Sequence, residues 1–278
     1  MAHEGTITAA VRRVRRREVV FGLVGPVLPA GPERWTRGAP VLLYHRIAPA
    51  GRRSADPFTV AADAFDRQMT WLTERFTVVT VGELVRRLAA GEGPGLAAVS
   101  FDDGYDCTVA QALPVLRAQG VPATVFVDTG RLNGPPPALH DEDLLALANA
   151  GAEIGSHSIT HPDLTQLEGT DLDAELTGSR ERLRAITGEP IAGFAMPFGR
   201  TDARVSRAVA ATGYAYACTG RQDRTNLPGD DPYQLTRIEI NATDTSRRFE
   251  AKLRGRYAPL YSAWYRLSPA LRRRLEQA

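Results

Sequence analysis

Leu96-Ala97-Ala98-Val99-Ser100-Phe101-Asp102-Asp103-Gly104 is the stretch that decides how the chain folds. An apolar run drives into two adjacent carboxylates, and a glycine then lets the backbone turn sharply beyond them. The pattern predicts a buried strand that delivers acids to its C-terminal end. In α/β folds catalytic residues gather at the carboxyl ends of parallel strands. The pair is therefore either an active-site element or an Asx-rich turn built from ordinary turn residues.

Working outward, strand and helix patterns alternate on both sides. Upstream, Val41 to Tyr44 reads as a strand ending at His45, Gly51 to Pro57 as a loop, and Ala61 to Glu74 and Val81 to Ala90 as helices around a brief extended segment, Phe76 to Thr80. Downstream come a helix over Val109 to Gln119 closed by Gly120, a strand over Ala123 to Val127, a helix over Asp141 to Ala150, and a strand over Ala152 to Ser156 that stops at His157. A helix over Asp171 to Thr187, strands at Ile191 to Met196, Tyr214 to Cys218 and Leu235 to Ile240, and a helix over Asp202 to Thr212 complete the pattern. Such alternation predicts a parallel sheet with helical crossovers, most economically closed into a (β/α) barrel in one catalytic domain. The boundaries are a basic N-terminal appendage at 1–38, the barrel at 39–245, and a basic, aromatic tail at 246–278.

Composition supports a globular chain: 278 residues, 43% of them hydrophobic, suffice for a full core. The 34 basic and 32 acidic residues nearly cancel, so no global field points to nucleic acid as a partner. Two distant cysteines, Cys107 and Cys218, make neither a disulfide framework nor a metal-binding pair, which is compatible with a reducing compartment. Basic clusters stand at Arg12 to Arg17 and at Arg272 to Arg274. The apolar run Val19 to Leu28 is short and broken by Gly22, Gly25 and Pro26, so the chain reads as cytoplasmic or peripheral to a membrane, with secretion as the alternative. Tyr257, Leu260, Tyr261, Trp264 and Tyr265 predict an amphipathic helix packed on the domain, with membrane or polysaccharide contact as the alternative. The oligomeric state is left open.

The second informative stretch is His157-Ser158-Ile159-Thr160-His161. Two imidazoles four residues apart at a strand exit can bind one metal ion from a helical turn or a tight loop, and Pro162 disfavours continued helix there. Combined with Asp102-Asp103 at another strand end, they supply two nitrogens and one oxygen with a position left for water, whose pKa zinc brings near neutrality. Iron, cobalt or nickel would also suit such a set. Adjacent residues on an extended chain point to opposite sides, so one ligand and one base is the natural division of the two carboxylates.

These two stretches, with Phe194-Ala195-Met196-Pro197-Phe198-Gly199, occur in the order and approximate spacing of the polysaccharide deacetylases, the NodB-homology carbohydrate esterases, and the chain resembles that family over about residues 40 to 240. The resemblance implies a distorted (β/α) barrel of about seven strands and metal-dependent, zinc-preferring hydrolysis of N-acetyl groups from an amino-sugar glycan. Carried over residue by residue, it makes Asp102 the catalytic base, and Asp103, His157 and His161 the metal ligands. Pro197 and Phe198 would shape the acetyl groove, and the Phe198 N–H would serve as oxyanion donor.

Two departures stand out. Ala195 occupies the place of an arginine that orients the base in most members, and Arg237 is the candidate substitute. The C-terminal Leu-x-His motif that carries the general acid is missing, Leu235-Thr236-Arg237-Ile238 standing in its region. Leu43-Tyr44-His45-Arg46-Ile47 resembles instead the exopolysaccharide and poly-N-acetylglucosamine deacetylase subgroup, in which a first-strand histidine takes the acid role, so His45 is the candidate acid. The other readings are hydrolysis of a different amide or an O-acetyl ester on the same fold, and a glycan-binding protein without catalysis.

Overall fold

The computed structural model describes residues 37–52 and 54–267. In chain order the strands are β1 (Val41–Tyr44), β2 (Arg46–Ala48), β3 (Thr59–Ala61), β4 (Thr77–Val79), β5 (Leu96–Phe101), β6 (Thr124–Val127), β7 (Glu153–Ser156), β8 (Gly193–Ala195), β9 (Tyr216–Cys218) and β10 (Ile238–Glu239). The helices are α1 (Ala62–Thr73), α2 (Val81–Ala89), α3 (Leu113–Gln119), α4 (Asp141–Asn149), α5 (Gly169–Thr187), α6 (Ala203–Ala211), α7 (Ser246–Leu253) and α8 (Ala258–Arg266).

Every residue of β5 is buried, as expected of a parallel strand covered on both faces. The main sheet runs β10-β1-β5-β6-β7-β8-β9, all parallel. Along one edge of β5, β4 pairs with its first half and β6 with its second. The two ends of the sheet meet through the last segment: Leu235 bridges Cys218 of β9, and Ile238 and Glu239 pair with Leu42 and Leu43 of β1. The sheet thus curls into a distorted (β/α) barrel. Because Leu235 to Glu239 changes partners midway, the expected strand over Leu235 to Ile240 survives only as the two residues of β10.

Side chains of the sheet divide by pleat parity. Leu42, Val99, Phe101, Val125, Phe194 and Ala217 pack with Phe65, Leu72, Leu113, Leu144 and Leu176 of the surrounding helices. Val41, Ala98, Phe126, Ala195, Tyr216 and Cys218 form a second cluster with Val81, Leu84 and Leu88 of α2. Small residues make room here for large ones. A Cβ on Gly155 would stand 2.5 Å from the Phe126 ring, so the glycine is what lets β7 lie against that side chain.

Helix ends follow ordinary capping rules. The Thr80 hydroxyl accepts the Glu83 N–H at α2, and the Asp202 carboxylate accepts two N–H groups at α6. The helix expected over Val109 to Gln119 begins instead as a π-turn, Thr108–Ala112. Pro114 has no N–H to return to Ala110, and the Leu113 N–H reaches five residues back to the Thr108 carbonyl. The loop Gly51 to Pro57 joins β2 to β3, a short parallel pair without an alternating sequence signature.

In the tail, α7 places Phe249 edge-on against Trp71 of α1 at 5.5 Å, and Tyr257 and Tyr261 flanking and within α8 are buried, so these helices pack on the domain. The Arg12 to Arg17 and Arg272 to Arg274 clusters lie outside the described residues. Among those described, no helix is long and apolar enough to cross a membrane.

Candidate active site

β5 ends at Phe101, and the two carboxylates that follow do not continue the pleat. Asp103 has φ 73°, left-handed backbone, and Gly104 follows at φ 69°. This corrects the expectation of an extended pair facing opposite ways. Turning Asp103 into the left-handed region brings both carboxylates toward one ring: His157 Nε2 lies 3.8 Å from Asp102 Oδ2 and 3.4 Å from Asp103 Oδ1. Aspartate is one of the few side chains that tolerates this conformation.

The two histidines sit on a tight loop. Ser158 and His161 have φ 71° and 55°, and with Asp103 and Phe198 they make four of the five non-glycine positive-φ residues among the described residues. Each such residue costs about 1–3 kcal/mol, which the surroundings must supply. Here Glu175 of α5 does so: its carboxylate accepts the Ile159 and Thr160 N–H groups at 2.7 and 3.0 Å and the Thr160 hydroxyl at 2.6 Å. From the other side Thr129 and Gly130 donate to the Ser158 and Ile159 carbonyls. Glu175→Ala is therefore expected to loosen the loop and weaken metal binding about 10–100-fold. Competition with a chromogenic chelator measures this, and unchanged affinity would contradict the anchoring role.

His157 Nδ1 lies 2.8 Å from the Ala195 carbonyl and can only donate there, so in the neutral ring Nε2 carries the lone pair. That Nε2 stands 3.1 Å from His161 Nε2, and His161 Nε2 stands 3.5 Å from Asp103 Oδ1. Three potential ligand atoms, one each from Asp103, His157 and His161, thus converge. With both ring nitrogens unprotonated, a cation between them would turn lone-pair repulsion into ligation. In a tetrahedral site with bonds of about 2.0–2.2 Å, donor atoms stand about 3.3–3.6 Å apart, close to the spacings found. The donor set fits a divalent metal. The local fields agree: burial disfavours charge on Asp103, but the histidines hold its carboxyl far below the usual range. Burial and the neighbouring His157 lower His161 to about 4, so it is a neutral imidazole at neutral pH.

Asp102 is 3% exposed and its charge is met by Arg237, which immediately precedes β10, two strands from β5 across β1. The pair is bidentate, with Nη1 to Oδ1 at 2.6 Å and Nη2 to Oδ2 at 2.8 Å. Arg237 is itself buried, its Nε donating to the Thr219 carbonyl at 3.3 Å and its guanidinium lying over the Phe126 ring. Burial alone would raise the Asp102 carboxyl. The Arg237 charge and then His157 outweigh it and hold Asp102 below its ordinary range, as a carboxylate. The arginine missing at position 195 thus has a structural counterpart.

The Pro197–Gly199 turn carries the third motif. Its hydrogen bonds run from Gly199 N–H to Met196 O and from Arg200 N–H to Pro197 O, neither of which engages the Phe198 N–H. Phe198 is 47% exposed and sets its ring edge against His161 at 4.6 Å. Gly199 lies directly on Gly220, where a Cβ would come within 2.3 Å of the Gly220 Cα. The Tyr265 hydroxyl of α8 closes this stack by donating to the Gly220 carbonyl at 2.6 Å.

His45 leaves the end of β1 beside this cluster, within electrostatic reach of Asp102, Asp103 and His161. Its ring packs on Phe58 at 4.8 Å, and its buried Nδ1 has no hydrogen-bond partner. The structure thus brings Asp102, Asp103, His157, His161, His45 and Arg237 to the carboxyl end of the sheet, with Phe198 beside His161.

Four residues here escaped the sequence reading: Glu175, Tyr105, Asp128 and Arg131. Asp128, 3% exposed at the end of β6, accepts the Gly130 N–H at 3.1 Å, and burial pushes its carboxyl up to about 7. Its position just past an apolar strand matches that of Asp102 and was a readable signal. Glu175 had none, since its role depends on where α5 packs.

The family profile for polysaccharide deacetylases matches residues 90–217, which include all three motifs but neither His45 nor Arg237. YxkH of Bacillus subtilis (strain 168), a polysaccharide deacetylase by name, is 28% identical over 215 residues, covering 76% of this chain and 75% of its own. A crystal structure of a polysaccharide deacetylase from Bacillus cereus superposes with a TM-score of 0.68 at 26% identity, covering 77% of this chain and 68% of that one. The Streptococcus pyogenes deacetylase PplD, solved in complex with acetate, shares the fold at TM-score 0.70 and 22% identity, covering 77% of this chain and 97% of that one. The motifs assembled around the donor cluster are thus those that the polysaccharide deacetylase profile covers, and this chain is similar to proteins of that description.

Proposed function

We propose that this site hydrolyses N-acetyl groups on the amino sugars of a glycan. The observation that supports it most is the convergence of Asp103, His157 and His161 beside a second carboxylate, Asp102, held ionised by a buried guanidinium. A divalent ion, zinc by the character of its donors, would be held by those three residues and would supply Lewis acidity and a water of lowered pKa. Asp102 receives the proton of the attacking water as the water oxygen bonds to the acetyl carbon. The Phe198 N–H, uncommitted within its own turn, donates to the developing oxyanion. His45 gives a proton to the nitrogen as the C–N bond breaks, releasing acetate and a free amine. The His161 and Phe198 rings form an apolar wall suited to the acetyl methyl.

His45→Phe retains the packing on Phe58 but removes the proton donor, so turnover is expected to fall about 10²–10⁴-fold with metal content unchanged. Equal turnover in the variant would return His45 to a packing role. The reaction itself is tested by mass spectrometry on chito-oligosaccharides, peptidoglycan fragments and poly-N-acetylglucosamine. A loss of acetyl that chelation abolishes supports the proposal. Release from O-acetyl esters alone would assign ester hydrolysis, and binding without release would assign a glycan-binding protein.

A further inference from the structure

We infer that Arg46 and Arg131 form an anion-binding subsite beside the metal-ligand cluster, and that the glycan taken by this site carries a carboxylate or phosphate substituent. The inference rests on the glycan hydrolase reading above and deepens it. Three elements at the carboxyl end of the sheet contribute. Arg46 directly follows His45, Tyr105 directly follows Asp102-Asp103-Gly104, and Arg131 stands four residues beyond the end of β6.

Both guanidiniums lie over the Tyr105 ring, each 4.6 Å from its centroid. Tyr105 is 9% exposed and burial pushes its phenol up to about 12, so the ring is a neutral platform for two cations. Bringing two like charges to one ring is unfavourable unless anions offset them. Among the described residues, the carboxylates coupled to these two arginines are engaged with other partners. Arg46 has Asp56 as its ion-pair partner at 3.7 Å, well beyond the roughly 2.7–2.9 Å of a charge-assisted hydrogen bond. The Asp56 oxygens already accept the Phe58 N–H at 3.0 Å and the Thr59 hydroxyl at 2.8 Å. Of the acids whose fields reach Arg131, Asp103 faces the two histidines and Asp128 accepts the Gly130 N–H.

Other arginines of the domain are differently placed: Arg67, Arg75, Arg87 and Arg221 each hold a carboxylate at 3.0 Å or less. Arg46, with its side chain 36% exposed, keeps its planar fork of N–H donors unspent next to the reaction centre. A guanidinium fork matches carboxylate and phosphate geometry, whereas the hydroxyls of a neutral chitin strand would leave both charges to water.

The test measures binding by calorimetry to the metal-loaded protein and to its Arg46→Gln, Arg131→Gln and Arg46→Lys variants. The probes are tetragalacturonate, which bears carboxylates and no acetyl group to hydrolyse, N-acetylglucosamine 1-phosphate, and neutral chitotetraose. The affinity ratio of anionic to neutral probe is expected to fall about tenfold in each glutamine variant and less in Arg46→Lys, which keeps the charge but loses the fork. Preference for the uronate assigns a carboxylate substituent, and preference for the phosphate assigns a phosphate. Ratios equal to wild type in both glutamine variants would overturn the subsite, as would anion binding that vanishes on chelation but survives both substitutions. Arginine-dependent anion binding without any deacetylation would retain the subsite and sink the hydrolase reading. Deacetylation that ignores substrate charge in wild type and variants alike would do the reverse.

Discussion

Arg237→Ala is expected to lower stability by about 3–5 kcal/mol, because it leaves the Asp102 carboxylate buried with no counter-charge. For a domain of this size that is a fall in melting temperature of about 6–20 °C. Turnover should vanish with it. Without the guanidinium, burial becomes the dominant influence on Asp102 and its carboxyl rises, so the acid limb of the pH–rate profile moves to higher pH in whatever active fraction remains. The double variant Asp102→Ala, Arg237→Ala separates the two effects: removing both charges should restore much of the stability and none of the activity. A single Arg237→Ala variant with unchanged melting temperature would show that the ion pair is not what holds Asp102.

The second large effect concerns the neighbouring carboxylate. Asp103→Asn keeps a side chain that tolerates left-handed backbone, so the φ of 73° should persist and the loss should be one of charge. Metal content after dialysis is expected to drop from stoichiometric to near zero, and activity with it. Asp102→Asn should behave oppositely, keeping its metal while turnover falls about 10²–10⁴-fold. Elemental analysis of the two purified variants decides between these roles. Full metal occupancy in Asp103→Asn would remove Asp103 from the ligand set.

Much of the fold was readable because it depends on local patterning. Val41–Tyr44 is a strand as the apolar run indicates, β5 delivers its acids to the sheet's carboxyl end, and Gly120 and Gly188 close α3 and α5 in left-handed backbone. What was hidden depends on backbone conformation and on register between distant strands. Periodicity assumes an extended chain through Asp102-Asp103, whereas the turn at Asp103 is what lets both carboxylates approach His157. Arg237 lies 135 residues from Asp102, and only the pairing of β10 with β1 beside β5 brings the two side chains together. The Arg46–Tyr105–Arg131 stack joins three separate strand exits, and no spacing within the sequence announces it.

The proposed hydrolysis requires one divalent ion held by Asp103, His157 and His161. Stripping the protein with a chelator and titrating zinc back while following acetate release tests it most directly. No release is expected from the stripped protein, and full recovery at one equivalent, with no recovery in Asp103→Asn at that level. Undiminished acetate release from protein verified free of metal would contradict it.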